Sequence, residues 1–193
     1  MNFIDDDEAL IAAALNGSAY AWDKLVRRYE SKIYNYGLRL TGNTTDAMDL
    51  TQEVFLGVYR NLHRFRGDAK FSSWIFRIAH NKAVDMNRRR ALIEGRSLNF
   101  DDIEDRELQL TERDSSNEPD SQLIKGQQNH EIQEMLQLLP LEQRLVVELK
   151  IFQSHTFEEI SAMQEISENT AKTRFYSALK KLKTAMEKSH ALS

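Results

Sequence analysis

The sequence predicts an all-α protein, built as two small helical domains joined by a flexible acidic linker. Three observations point there. Apolar residues recur at helical spacing in several stretches, and none alternates with period two for long. Only 2 prolines and 7 glycines punctuate 193 residues of which 29% are charged. Between the periodic stretches lies an acidic segment (Asp101, Asp102, Glu104, Asp105, Glu107, Glu112, Asp114, Glu118, Asp120) that carries Ser115-Ser116-Asn117-Glu118-Pro119. Such a segment buries too little apolar area to offset the entropy of ordering it. The expected division is 1–93 for the first domain, 94–126 for the linker and 127–193 for the second domain.

The helices follow from their ends and stripes. Asp5, Asp6, Asp7 and Glu8 load the positive end of a first helix. Ser18 caps a second over residues 20–40, which breaks at Thr41-Gly42-Asn43. Asn43, with Asp46 three residues later, caps a third whose stripe is Leu50, Val54, Val58 and Leu62, with Phe55 and Tyr59 beside it. A fourth carries Phe71, Trp74, Ile75, Ile78, Ala79 and Met86 on one side. After the linker, residues 132–139 read as a helix, and Pro140 starts the next, through Leu145, Val146 and Leu149. Thr156-Phe157-Glu158-Glu159-Ile160-Ser161-Ala162-Met163 is a short helix, and residues 164–166 make a tight turn. Ser167 caps a long last helix whose core stripe is Ala171, Phe175, Leu179 and Leu182.

The net charge of −4 at first argues against a nucleic-acid partner, but it is unevenly spread. Residues 1–90 carry 14 Lys/Arg against 11 Asp/Glu, whereas residues 91–126 carry 4 against 10. Two zones are strongly basic: 64–90, with 8 basic and 2 acidic residues, and 172–188, with 6 and 1. Solvated helix faces would show the same runs; two such zones in separate domains point instead to an extended polyanion.

Other classes are excluded by what the chain lacks. It has no cysteine, hence no disulfide, thiolate nucleophile or cysteine-based metal site. Its histidines (His63, His80, His130, His155, His190) have no metal-ligand spacing, and there is no glycine-rich phosphate loop or nucleophile elbow. No enzyme and no cofactor are expected. No apolar run is long enough for a membrane span, and the first residues are too acidic for a signal peptide, so the expected location is the cytoplasm.

The second domain ends in short helix, tight turn and basic helix, with Lys172, Thr173, Tyr176, Ser177 and Lys180 opposite the core stripe. That is helix-turn-helix geometry, which sets such side chains in the major groove; an ordinary helical hairpin shares the turn signal but not the polar-basic face. In the first domain, aromatics interleave with cations over residues 64–90, a composition suited to stacking unpaired bases along phosphate. Phe71, Trp74 and Phe76 sit at core spacing and are expected to be structural, while Phe65, next to Arg66-Gly67-Asp68, is expected in a loop and open to solvent. Arg77, Asn81, Asp85 and Arg88 share a polar stripe, and Asn81 has the donor–acceptor pair needed to read a base edge.

Four runs in order resemble sigma factors of the bacterial sigma-70 family, of the compact extracytoplasmic-function (ECF) type. Asp46-Ala47-Met48-Asp49-Leu50-Thr51-Gln52-Glu53-Val54-Phe55 is similar to region 2.2. Phe65-Arg66-Gly67-Asp68, followed by Phe71-Ser72-Ser73-Trp74-Ile75-Phe76-Arg77-Ile78-Ala79-His80-Asn81, is similar to regions 2.3 and 2.4. Leu139-Pro140-Leu141-Glu142-Gln143-Arg144 and the helix-turn-helix resemble region 4. The chain departs from the usual pattern at Asn169-Thr170-Ala171, where relatives often have Gly-Thr-Val, and at Ser177, where many carry arginine.

The resemblance implies a region 2 helical bundle and a region 4 helix-turn-helix that direct core RNA polymerase to promoters. It implies docking on the polymerase β′ clamp through Met48, Asp49, Gln52 and Glu53, and a further contact of region 4 with the β flap. It implies capture of a flipped −10 base by Phe65, Gly67, Asp68 and Asn81, with Arg77 and Arg88 on the same face; extruding a base costs a few kcal/mol that the pocket must offset. The −35 readers would be Lys172, Thr173, Tyr176 and Ser177, with Arg174 and Lys180 on phosphate. An anti-sigma factor is the implied inhibitor. A net-acidic free chain is expected to bind DNA weakly until polymerase supplies the electrostatic affinity. The rival reading, a ligand-responsive helix-turn-helix repressor, needs an apolar ligand pocket for which the acidic linker leaves little chain.

Overall fold

The computed structural model describes residues 4–93 and 123–191. Four helices form the first domain: α1 (Ile4–Leu15), α2 (Ala19–Thr41), α3 (Thr44–Asn61) and α4 (Phe71–Ile93), with a 3₁₀ turn Leu62–Arg64 after α3. The second holds α5 (Leu123–Gln137), α6 (Leu141–Val147), α7 (Phe157–Gln164) and α8 (Glu168–Ala191), with a π-helical turn Glu148–Phe152 after α6. The helix ends sit where capping chemistry puts them. The side chains of Ser18, Asn43 and Ser167 accept the backbone N–H groups of Ala21, Asp46 and Thr170. Gly42 closes α2 in the left-handed region at φ 65. Thr156 and Glu159 satisfy each other's backbone N–H at the start of α7. Of the segment expected to be the linker, residues 94–122 lie outside the described residues, and α5 begins at Leu123.

The first core is the expected stripe of α3 (Leu50, Val54, Val58) against Leu25, Tyr29, Ile33 and Tyr36 of α2 and Phe71, Ile75, Phe76 and Ala79 of α4. α2 and α3 approach so closely that a Cβ on Gly37 would lie 3.1 Å from the Ala47 Cα. Asp7 ties α1 down by accepting from Arg28 and from the Tyr29 hydroxyl, each at 2.5 Å. A smaller core joins Leu136, Leu139, Val147 and Ala178, with Ile132, Phe175 and Leu182 packed on it. On α8, Ala171, Phe175 and Leu182 pack inward as expected, but Ala178 takes the place of Leu179: Ala178 is fully buried, whereas Leu179 is 36% exposed. A small side chain is what lets α8 lie close to α6.

The two domains are packed together. Leu145, Val146, Leu149, Ile160, Met163 and Ala171 belong to the same contiguous apolar cluster as the first domain's core. Through this seam runs a bidentate ion pair, Arg39 Nε and Nη2 donating to the two oxygens of Glu148 at 2.6 and 2.8 Å, with the Glu148 side chain fully buried. Phe152 stacks on the Arg39 guanidinium at 4.2 Å. Arg144, also buried, donates to the carbonyls of Leu40 and Leu139 and to the Gln137 side chain, while Gln137 donates back to the Arg39 carbonyl at 3.0 Å. Among the described residues, no helix is long and apolar enough to cross a membrane.

Candidate nucleic-acid and partner interfaces

Three surfaces gather the candidate residues. On α3, Met48, Asp49 and Gln52 are open to solvent, on the side away from the core stripe. Glu53 is half-buried, because Lys82 of α4 donates to it at 2.8 Å, and that hydrogen bond and charge hold its carboxyl below the usual range. Beside Gln52 lies an open groove of ≈ 400 Å³ lined by Trp22, Val26, Phe55, Leu56 and Tyr59. Tyr59 is 67% exposed and meets the Trp22 ring edge-on at 5.2 Å. This groove is missing from the expected site. Its signal was present as a second stripe, Gln52, Phe55, Leu56 and Tyr59, at helical spacing beside the core stripe; a helix with two apolar faces has one left for a partner.

The second surface runs along α4. Arg77, Asn81, Asp85 and Arg88 are all exposed, so the expected polar stripe exists, next to the loop in which Gly67 and Asp68 are also exposed. Gly67 takes φ 78 with open space where a Cβ would be, which glycine adopts without strain. Phe65 differs from expectation. It is half-buried, edge-on to Phe71 at 5.4 Å and tilted against Trp74 at 5.5 Å. Three rings in one cluster remove more apolar area from water than a free loop phenylalanine could, and they pin the loop beside α4. Arg77 reaches across the seam to Glu165, in the helix-turn-helix turn, at 3.2 Å.

The third surface is the N-terminal half of α8. Lys172, Thr173, Tyr176 and Lys180 are exposed and Ser177 is half-buried, all on the outer face. Lys172 pairs with Glu168 one turn earlier at 2.5 Å. Tyr176 stands against the rings of Phe157 and Phe175. The turn is closed by Glu165 in the left-handed region at φ 56. Arg174 faces elsewhere: its Nη2 lies 2.7 Å from Glu142 Oε2 of α6, and its charge bears on His80 of α4. The structure packs Phe65 against Phe71 and Trp74 of α4, the helix whose exposed stripe carries Arg77, Asn81 and Arg88, and leaves Arg174 apart from the other α8 candidates.

Comparison with known proteins follows the same division. Residues 25–93 match the family description Sigma-70 region 2, and residues 129–182 match Sigma-70, region 4. The RNA polymerase sigma-H factor of Pseudomonas aeruginosa is 26% identical over 187 residues, covering 95% of this chain and 95% of its own. The ECF RNA polymerase sigma factor SigE of Mycolicibacterium smegmatis is 31% identical over 170 residues, covering 87% of this chain and 62% of its own. In fold, the chain is similar to the sigma factor RpoE of Bartonella quintana, solved in complex with the anti-sigma factor NepR. The TM-score is 0.64 at 16% identity, covering 86% of this chain and 96% of that one.

Proposed function

The chain belongs to the sigma-70 family of RNA polymerase sigma factors, in its ECF branch, and on that premise we propose which of its surfaces does what. The outward face of α3 docks on the β′ clamp of core RNA polymerase through Met48, Asp49 and Gln52, and the Trp22–Tyr59 groove supplies the apolar anchor. Glu53 shares this duty with its partner Lys82. Hot spots of protein interfaces are enriched in tryptophan and tyrosine, and this groove offers Trp22 and Tyr59. The second domain meets the β flap.

The α4 stripe and the loop before it open the −10 element. Asn81 reads a base edge, Gly67 and Asp68 line the pocket for an extruded base, and Arg77 and Arg88 hold phosphate. Phe65 acts as the floor of that pocket. On α8, Lys172, Thr173, Tyr176 and Ser177 read the −35 element in the major groove, and Lys180 takes phosphate. Arg174 reaches phosphate only after letting go of Glu142. The protein acts in the cytoplasm by binding and positioning, without catalytic chemistry of its own. An anti-sigma factor is its expected inhibitor, as NepR is the partner of the Bartonella quintana protein.

The observation that supports this most is the presence of all three open surfaces in the family's chain order. Run-off transcription from a promoter library, with purified core polymerase and with or without this chain, tests it. Specific starts that need the chain are expected. No starts, together with no co-elution with core, would overturn the reading and turn attention to dimeric binding of duplex DNA.

A further inference from the structure

Each domain buries one histidine at the seam with the other. His80 of α4 is 8% exposed, and the charges acting on it come from the second domain: Arg174 of α8 and Glu165 in the turn. His155, just before α7, is 5% exposed, with its ring edge-on to Phe76 of α4 at 5.9 Å. The charges acting on His155 are Glu159 of α7, at 3.4 Å, and Lys70 from the loop before α4. One ring nitrogen of each, His80 Nδ1 and His155 Nε2, makes no hydrogen bond among the described residues. Of the acids nearby, Glu165 is engaged by Arg77 and Glu142 by Arg174, while Glu159 faces His155 at 3.4 Å and offsets part of the cost of its burial. From α2 the seam receives Arg39, held by Glu148, and Glu53 of α3 is held by Lys82. Neutral imidazoles fit this seam. Imidazoliums would be desolvated there, and that of His80 would also face the Arg174 guanidinium of the other domain.

We propose that the seam is a proton-sensitive closure: charging His80 and His155 shifts the free chain from its closed arrangement towards one in which the two domains have separated.

The sign follows from linkage. Burial first, then Arg174, pushes His80 down to about 4 while the domains are closed. Separation returns it to water and towards an ordinary value near 6.5, so the open form binds the proton first. The closure is therefore at full strength above about pH 6.5 and weakens as pH falls towards 4. Between pH 7.5 and 5.5, His80 alone raises the open-to-closed ratio roughly tenfold. Burial also lowers His155, which adds in the same direction. Glu148 works against both: burial raises its carboxyl despite Arg39, so its protonation favours closure. Opening breaks the Arg77–Glu165 bridge across the seam and moves Arg174 away from His80, so acid frees Arg77 of the otherwise open α4 stripe for its ligand.

Amide hydrogen exchange on the full chain from pH 7.5 to 5.5, corrected for intrinsic rates, reads the opening of residues 145–152. Protection in the wild type should fall about tenfold or more on acidification. In His80→Gln/His155→Gln it should stay flat or rise slightly through Glu148, and Glu148→Gln should steepen the wild-type fall. Protection independent of pH in the wild type, or falling equally in the double variant, overturns the proposal. Should that variant fail to fold, proton NMR of the wild-type chain decides: a His80 ring titrating near pH 4 is expected, and one titrating near 6.5 contradicts it. Neither readout involves polymerase or promoter, so either can fail without touching the sigma-factor reading.

Discussion

The outward groove of α3 and the seam between the domains invert the usual placement of oil and charge. The groove keeps Trp22, Leu56 and Tyr59 in contact with water, whereas the seam buries Glu148, Arg144, His80 and His155 among apolar residues and half-buries Arg39. An exposed apolar groove gains free energy when a partner covers it. A seam that must desolvate charges gains less from staying shut than one of the same area packed with aliphatics. The contrast separates a surface built to acquire a partner from a contact built to be released.

The seam gives the largest effect with which to break this comparison. Arg39→Ala leaves the Glu148 carboxylate buried without its cation, held only by Gln153 at 3.0 Å, a loss of about 3–5 kcal/mol for breaking one side of such a pair. The chain can escape that loss by opening, so hydrogen exchange at α6 should rise far more than exchange at α3. Equal loosening throughout would mean that the two domains are one cooperative unit. Next in size is acid. His80 alone should lower the stability of the closed chain by about 2 kcal/mol between pH 7 and pH 5, because only the opened or unfolded forms take up its proton in that range. Urea unfolding at the two pH values checks this, and His80→Gln should lose most of the difference.

The groove tests the other half. Tyr59→Ala removes an exposed ring and should leave the unfolding midpoint within experimental scatter, yet weaken core polymerase binding by about tenfold or more. Unchanged affinity would move the docking surface off the groove. The smallest effect belongs to Ser167→Ala, which deletes the cap of α8 and should cost about 1 kcal/mol. That loss belongs to the second domain and should leave the groove's affinity for core unchanged.

The helix ends and the first core were legible because they rest on local chemistry. Ser18, Asn43 and Ser167 announce caps whatever lies around them, and Leu50, Val54 and Val58 announce a buried stripe. The seam was not legible. Arg39 and Glu148 lie 109 residues apart, and each alone reads as a solvated charge on an amphipathic helix. A hint was present in Leu145-Val146-Val147-Glu148-Leu149, too apolar on every side for a helix that faces water anywhere. Phe65 was expected in the open because its neighbours are turn residues; its burial comes from Phe71 and Trp74, which only the fold brings beside it. Arg174 shows the same limit. Helical spacing places it near the recognition face, but Glu142 on another helix decides where its guanidinium points.

One measurement bears most directly on the division of labour between these surfaces: core affinity and promoter opening by Asn81→Ala, measured side by side with the wild type. Asn81 is exposed on α4, whereas the groove is lined by α2 and α3, and a lost base contact is worth about 1–3 kcal/mol. The account predicts core affinity within about twofold of wild type, with open-complex formation reduced about tenfold or more. Promoter opening at the wild-type level, or a parallel loss of core affinity, would contradict it.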